Sequence, residues 1–232
     1  MTGIIHAYYD FVSPYSYFAF VHLQRLRGVL ASHGVSVEIH PIFLGGIMNG
    51  SGNTPPWQIA AKSKYGQLEL RRAIRYFDVP PFEPPSFFPI LTILPLRAIT
   101  YIKQTQTRET FEAVFGLYWK WFFYQHRDLS KPDVLQTCLL EEFSAEQVRA
   151  IMHAAGERKW KDELTARTQE ALDRGAFGAP FFWVVKTPPS SALDGEGEGA
   201  AFWGSDRFHH MWDFLGLPWD DFKLHASSDA KL

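Results

Sequence analysis

Apolar and polar positions along the chain follow two different periods, and the change from one to the other divides it. Residues 4–9, Ile-Ile-His-Ala-Tyr-Tyr, are β-branched and aromatic over a short run, which predicts a buried strand. From Tyr15 to Ser32 the apolar residues Phe18, Val21, Leu23, Leu26 and Leu30 fall mainly at helical spacings. Val35, Val37 and Ile39 then alternate with Ser36, Glu38 and His40, predicting a second strand from Val35 to Phe43. Strand, long crossover and strand form a βαβ unit, for which parallel pairing and a right-handed connection are expected.

The pattern then changes. Gly45 to Pro56, with glycines at 45, 46, 50 and 52, reads as a glycine-rich loop. Helical periodicity predicts helices at about 57–77, 92–105, 108–125, 131–140, 144–154 and 157–174, interrupted by the proline-rich segment 79–89. Ser144 with Gln147 has the form of a capping box. Strands return at Phe181–Val185 and Ala200–Trp203, joined by a small, polar, acidic loop at 186–199. A short helix, Arg207–Leu215, is stopped by Gly216 and Pro218. The layout is an α/β thioredoxin-like fold, a βαβ half and a ββα half, with an all-helical domain inserted between the halves. Residues 1–45 and 176–232 are assigned to the thioredoxin-like domain and 46–175 to the inserted helices.

Composition narrows the function. With 23 Lys and Arg against 25 Asp and Glu, the formal charge is −2, which argues against a nucleic-acid partner. The longest apolar stretch, Phe87 to Leu96, is too short to span a bilayer and holds Pro89 and Pro95. One cysteine, Cys138, allows no internal disulfide and no CxxC pair; inside a predicted helix it reads as a packed small hydrophobe. The nine histidines show no HExxH spacing, so no metal is expected. The 37 Phe, Tyr and Trp either fill the core or line an apolar pocket, and composition does not separate the two.

Three turns carry candidate chemistry. Ser13-Pro14-Tyr15-Ser16 opens the first helix, where Ser at the N-cap and Pro at the first helical position are preferred residues. The same helix end favours an anion, and a serine hydroxyl there can donate to a thiolate brought by a ligand. In thioredoxin-like redox proteins a CxxC pair has this place; two hydroxyls here exclude direct disulfide chemistry. Ala179-Pro180 precedes a strand, as an ordinary loop end or as a cis-proline that turns the Ala179 backbone toward the helix. Ser205-Asp206 is either a helix N-cap or a holder for a ligand carboxylate and ammonium, both of which a γ-glutamyl group offers.

Asp10-Phe11-Val12-Ser13-Pro14-Tyr15-Ser16, Gly46-Ile47-Met48 with Ser51-Gly52-Asn53, Gly175 to Pro180, and Phe202 to Arg207 occur in that order over about residues 4–217. The set resembles the kappa-class glutathione transferases and the related 2-hydroxychromene-2-carboxylate isomerases. The resemblance implies a thioredoxin fold with inserted helices, glutathione as cosubstrate, a small hydrophobic electrophile as second substrate, and a homodimer. It implies that Ser13 activates the glutathione sulfur with Pro14 and Tyr15 beside it, and that Asn53 and Lys62 supply further contacts. It also implies that the Ala179 backbone, before Pro180, pairs with the cysteinyl part, and that Ser205 and Asp206 hold the γ-glutamyl end. Two departures stand out: Tyr17 replaces a frequent Trp, and the 186–199 loop is longer than usual.

The chain ends Ala230-Lys231-Leu232, close to the Ser-Lys-Leu peroxisomal address, so a peroxisomal location and an import receptor are expected. Without that signal the expected place is the cytoplasm or mitochondrion. Three functions are carried forward: a glutathione transferase, a glutathione-dependent isomerase, and a thioredoxin-like binding or chaperone module without turnover.

Overall fold

The structure is a computed structural model that describes residues 2–187 and 199–220. Strand β1 (Thr2–Tyr9), helix α1 (Pro14–Ser32) and strand β2 (Val35–Pro41) form the opening βαβ unit, and β1 and β2 pair in parallel as expected. Strand β3 (Phe181–Thr187) pairs antiparallel with β1, and β4 (Gly199–Trp203) antiparallel with β3, giving the order β2-β1-β3-β4. Between the halves come α2 (Leu44–Ser51), α3 (Ala60–Tyr76), α4 (Ile93–Thr105), α5 (Arg108–Trp119), α6 (Pro132–Leu139), α7 (Ala145–Gly156) and α8 (Arg158–Asp173). Helix α9 (Phe208–Leu215) follows β4.

The two sheet faces differ because side chains alternate along each strand. Ile5, Ala7 and Tyr9 share one face with Val35, Val37, Ile39, Phe182 and Val184, all buried. There Tyr9 meets Trp119 and Phe182 edge-on, and Phe182 meets Phe208 of α9. The opposite face carries His6, Tyr8, Glu38, His40 and Trp183, and α4 and α8 approach it with charged side chains. One continuous apolar core joins the sheet to the helices, running from Ile5 through Trp119 and Leu139 to Leu215.

Three expectations need correction. The segment read as a glycine-rich loop is largely a helix, α2, ended by Gly52 in the left-handed region at φ 70°. Its glycines serve close packing. A Cβ on Gly50 would lie 2.5 Å from Leu172 Cδ1, and one on Gly46 would lie 3.1 Å from Thr168 Cγ2. Low intrinsic propensity is therefore outweighed by close approach to α8. The helix expected at 57–77 is divided into a 3-10 turn, Pro56–Gln58, and α3, because Ile59 is extended at φ −108° and ψ 111°. The helix expected at 108–125 leaves α geometry after Trp119 and continues as a π turn, Lys120–Tyr124, in which Trp121, Phe122 and Phe123 are buried. The wider turn lets three consecutive aromatics reach the core, which an α-helix would splay around its axis.

The remaining helices match the periodicity within one or two residues. The Ser144–Gln147 capping box is formed from both sides. Most of the 186–199 loop and the Ala230-Lys231-Leu232 tail lie outside the described residues.

Candidate active site

Ser13 caps α1. Its Oγ accepts from the Ser16 N–H at 3.1 Å and donates to the Ala179 carbonyl at 3.0 Å. Pro14 at the first helical position has no N–H to satisfy, and the Tyr15 N–H behind it has no intrahelical acceptor. The helix end thus brings the Ser13 hydroxyl, a backbone N–H without an intrahelical acceptor and a partial positive charge to one place. Ser16 differs from Ser13: it is fully buried, its Oγ has no hydrogen-bond partner among the described residues, and it does not reach the cleft.

Residues 177–180 form the hub of the site. The Ala179–Pro180 bond is cis. Three other segments each donate one hydrogen bond to a carbonyl of this hub. Ser13 Oγ reaches Ala179 O, Asn53 Nδ2 reaches Phe177 O at 2.6 Å, and the Gly204 N–H reaches Pro180 O at 3.0 Å. Gly204 is in the left-handed region at φ 94°, which a side chain would oppose, and the turn leads directly into Ser205 and Asp206. Four stretches distant in sequence are thereby fastened around one point.

They open onto a cleft of about 1420 Å³ lined by all nine residues singled out from the sequence: Ser13, Pro14, Tyr15, Asn53, Lys62, Ala179, Pro180, Ser205 and Asp206. Ser13 and Ser205 are buried at its base. Lys62, in the first turn of α3, is exposed, and no carboxylate pairs with it among the described residues. Asp206 is exposed and paired with Arg207. Neither Ser205 nor Asp206 caps α9, whose N-cap is Arg207 without a side-chain bond, so the simple capping explanation for that pair fails.

The cleft also explains part of the aromatic excess. Eleven of the 37 aromatic residues line it, among them Tyr15, Trp57, Tyr65, Tyr76, Trp203 and Trp212. The rest chiefly fill the core, where Trp119, Tyr8, Tyr9 and Phe122 are among the largest fully buried side chains. Both explanations of the composition apply, to different rings. Burial pushes the Tyr15 phenol up to about 12, so it stays protonated, and pushes the His22 imidazole down to about 4, so it stays neutral.

Sequence reasoning gave no role to Asp10, which lies immediately before the Ser13 turn and is completely buried. One carboxylate oxygen accepts from the Val12 N–H at 3.1 Å; the other accepts from the Leu44 N–H at 2.8 Å and Thr92 Oγ1 at 2.9 Å. Burial raises its pKa to about 6, and the three hydrogen bonds limit the rise. Asp10 therefore ties the Ser13 turn to the starts of α2 and α4. A carboxylate between a strand and a helix was the available signal, but its partner Leu44 was hidden by reading α2 as a loop. Cys138 is buried, and burial lifts its thiol to about 12, so it supplies no nucleophile.

The sequence profile of the DSBA-like thioredoxin domain family matches residues 4–216. Glutathione S-transferase kappa 1 of Caenorhabditis elegans is 27% identical over 219 residues, covering 92% of this chain and 91% of that protein. The 2-hydroxychromene-2-carboxylate isomerase of Sphingobium xenophagum is 28% identical over 222 residues, covering 93% and 99%. A solved structure of a 2-hydroxychromene-2-carboxylate isomerase superposes with a TM-score of 0.72 at 18% identity, over 92% of this chain and 94% of the other.

Proposed function

Since the chain belongs to the DSBA-like thioredoxin domain family, we propose that it is a glutathione transferase that holds the glutathione thiolate at the start of α1. The observation that carries this reading is the convergence of Ser13, Asn53 and Gly204 on the 177–180 hub at the base of the cleft. Likeness over nearly the whole length to a kappa-class transferase supports the same substrate.

In this reading the hydrogen bonds of the hub couple ligand binding to activation. The Ser13 hydroxyl has one proton, and it is spent on the Ala179 carbonyl. A peptide-like ligand lying along residues 179–180 donates its cysteinyl N–H to that carbonyl in strand fashion. Ser13 is then released to donate to the sulfur, while the Ser16 N–H keeps its hold on Oγ. A free thiol has a pKa of about 8.5, and a helix end with a hydroxyl donor lowers it by about one unit or more. Asn53 and Lys62 contact the ligand from the α2–α3 side. Ser205 and Asp206 take the γ-glutamyl end; the exposed Asp206–Arg207 pair is weak enough to be exchanged for a ligand ammonium.

The thiolate attacks an electrophilic carbon held against the aromatic wall of α3; a C–S bond forms and the leaving group departs with its electron pair. The 28% identical isomerase favours a second reading on the same site, in which the thiolate adds to a conjugated substrate, the adduct rotates and glutathione is expelled. The functional unit is a homodimer, and Ala230-Lys231-Leu232 directs the protein to peroxisomes. Replacing Ser13 by Ala removes a hydrogen bond to a charged group, worth about 1.5–3 kcal/mol. Ser13→Ala is expected to raise the pKa of bound glutathione by about one to two units and cut turnover near neutral pH by about 10- to 100-fold. Unchanged turnover would remove Ser13 from this role.

A further inference from the structure

The parallel register of β1 and β2 gathers three metal-ligating side chains on the polar sheet face, outside the cleft. His6 stands opposite Glu38 and Tyr8 opposite His40, so the two-residue alternation turns His6, Glu38 and His40 to one side. His6 Nδ1 lies 3.0 Å from His40 Nε2. Glu38 Oε2 lies 3.7 Å from the first nitrogen and 3.5 Å from the second. Tetrahedral ligands on bonds of about 2.0–2.1 Å stand roughly 3.3–3.4 Å apart. The three observed separations straddle that value.

We propose that His6, Glu38 and His40 bind a borderline transition-metal dication of the Zn²⁺ type, with a fourth position open to water. Two nitrogens and one carboxylate oxygen suit such an ion. The His40 ring is held in place: Tyr8 stacks on it at 4.9 Å and 23°, and Lys103 Nζ lies 3.1 Å from its far nitrogen, Nδ1. The histidines are mostly covered, whereas the Glu38 side chain is 55% exposed and gives the ion its path in from solvent. The arginines of this face are occupied, Arg167 by Glu163 and Glu170 and Arg174 by Glu170, which leaves Lys103 as the cation the ion must tolerate. Metal entry displaces the His40 Nε2 proton that points at His6 Nδ1, and that proton leaves to solvent; Lys103 passes one proton to His40 Nδ1, which keeps the bound imidazole neutral and removes the positive charge beside the ion. None of the three ligands lines the cleft, so the site is separate from the thiolate site and does not rest on that reading.

The test is calorimetric titration of the tag-free full chain with Zn²⁺, together with Co²⁺ read by visible absorption. One ion per chain is expected, with the intense d–d bands of a tetrahedral Co²⁺ centre. His6→Gln and His40→Gln are expected to abolish binding, and Glu38→Gln to weaken it at least about tenfold. His153→Gln removes the exposed His153–Glu157 pair, the obvious competing surface ligand, and is expected to change nothing. Binding that survives all three ligand substitutions, or is lost with His153→Gln, overturns the proposal. Glu38 is exposed and its variant retains the fold's core, so the Glu38→Gln titration and the wild-type Co²⁺ spectrum decide the question if a histidine variant misfolds. Octahedral bands, or no bands, overturn it.

Discussion

Ser13 and Asp10 illustrate how a few polar atoms set the behaviour of the site. Ser13 can make only one donation, and it goes to Ala179, so the proposed sulfur activation requires a ligand to take over the hub carbonyl. Asp10 acts beneath it. Burial raises its folded-state pKa to about 6, above the ordinary aspartate value of 3.8, so the native chain binds this proton more tightly than the unfolded chain. Stability from this group is then greatest at low pH and declines as pH rises through the window from about 4 to 6. At neutral pH the shift corresponds to about 3 kcal/mol of destabilisation. Asp10→Asn is expected to abolish this slope, so that the stability difference between variant and wild type, from urea unfolding at pH 4 and pH 7, changes in the variant's favour as pH rises. A pH-independent difference would show that Asp10 does not titrate in that window. Both residues stand in the first quoted motif, yet only Ser13 was legible as chemistry, because two of the three donors to Asp10 come from residues 34 and 82 positions away.

At the scale of elements, local periodicity located most strands and helices, since alternation and helical spacing are written into neighbouring residues. It failed where tertiary contact overrides local preference. Helix α2 is built from Leu44, Gly45, Gly46, Ile47, Met48, Asn49, Gly50 and Ser51, and only the presence of α8 explains why glycines there stabilise a helix. The same argument makes a prediction. Gly50→Ala gains about 1 kcal/mol of helix propensity, yet its methyl would meet the end of the Leu172 side chain, and turning that leucine aside costs about 1–2 kcal/mol, a net loss of up to about 1 kcal/mol. Thermal or denaturant unfolding should show that loss, and Leu172→Ala in the same chain should recover part of it. A stabilised Gly50→Ala would mean that Leu172 turns aside freely and that this contact does not require a glycine. The π turn after α5 was invisible for a related reason: an aromatic run such as Trp121-Phe122-Phe123 has no helical period of its own, and the core decides how it is accommodated.

At the scale of the whole molecule, the fold does for the site what sequence proximity cannot. The ends of β1, β4 and α2 and the approach to β3 meet because the sheet order is β2-β1-β3-β4. Motifs separated by more than 160 residues become hydrogen-bonded neighbours, as Ser13 and Ala179 do. The candidate site was legible as four motifs in order, but the aromatic wall of α3 was not, because nothing in Tyr65 or Tyr76 announces which side of a helix faces a cleft. The tail makes a prediction at this scale too: a fluorescent reporter ending in Ser227 to Leu232 should enter peroxisomes, and a diffuse cytosolic signal would withdraw the address. The central claim is that the sulfur missing from the helix start is supplied by glutathione. Isothermal titration of the full chain with reduced glutathione tests it most directly. Saturable binding of one molecule per chain at up to millimolar concentration, weakened when the sulfur is methylated, is the result predicted; no binding across that range would contradict the account.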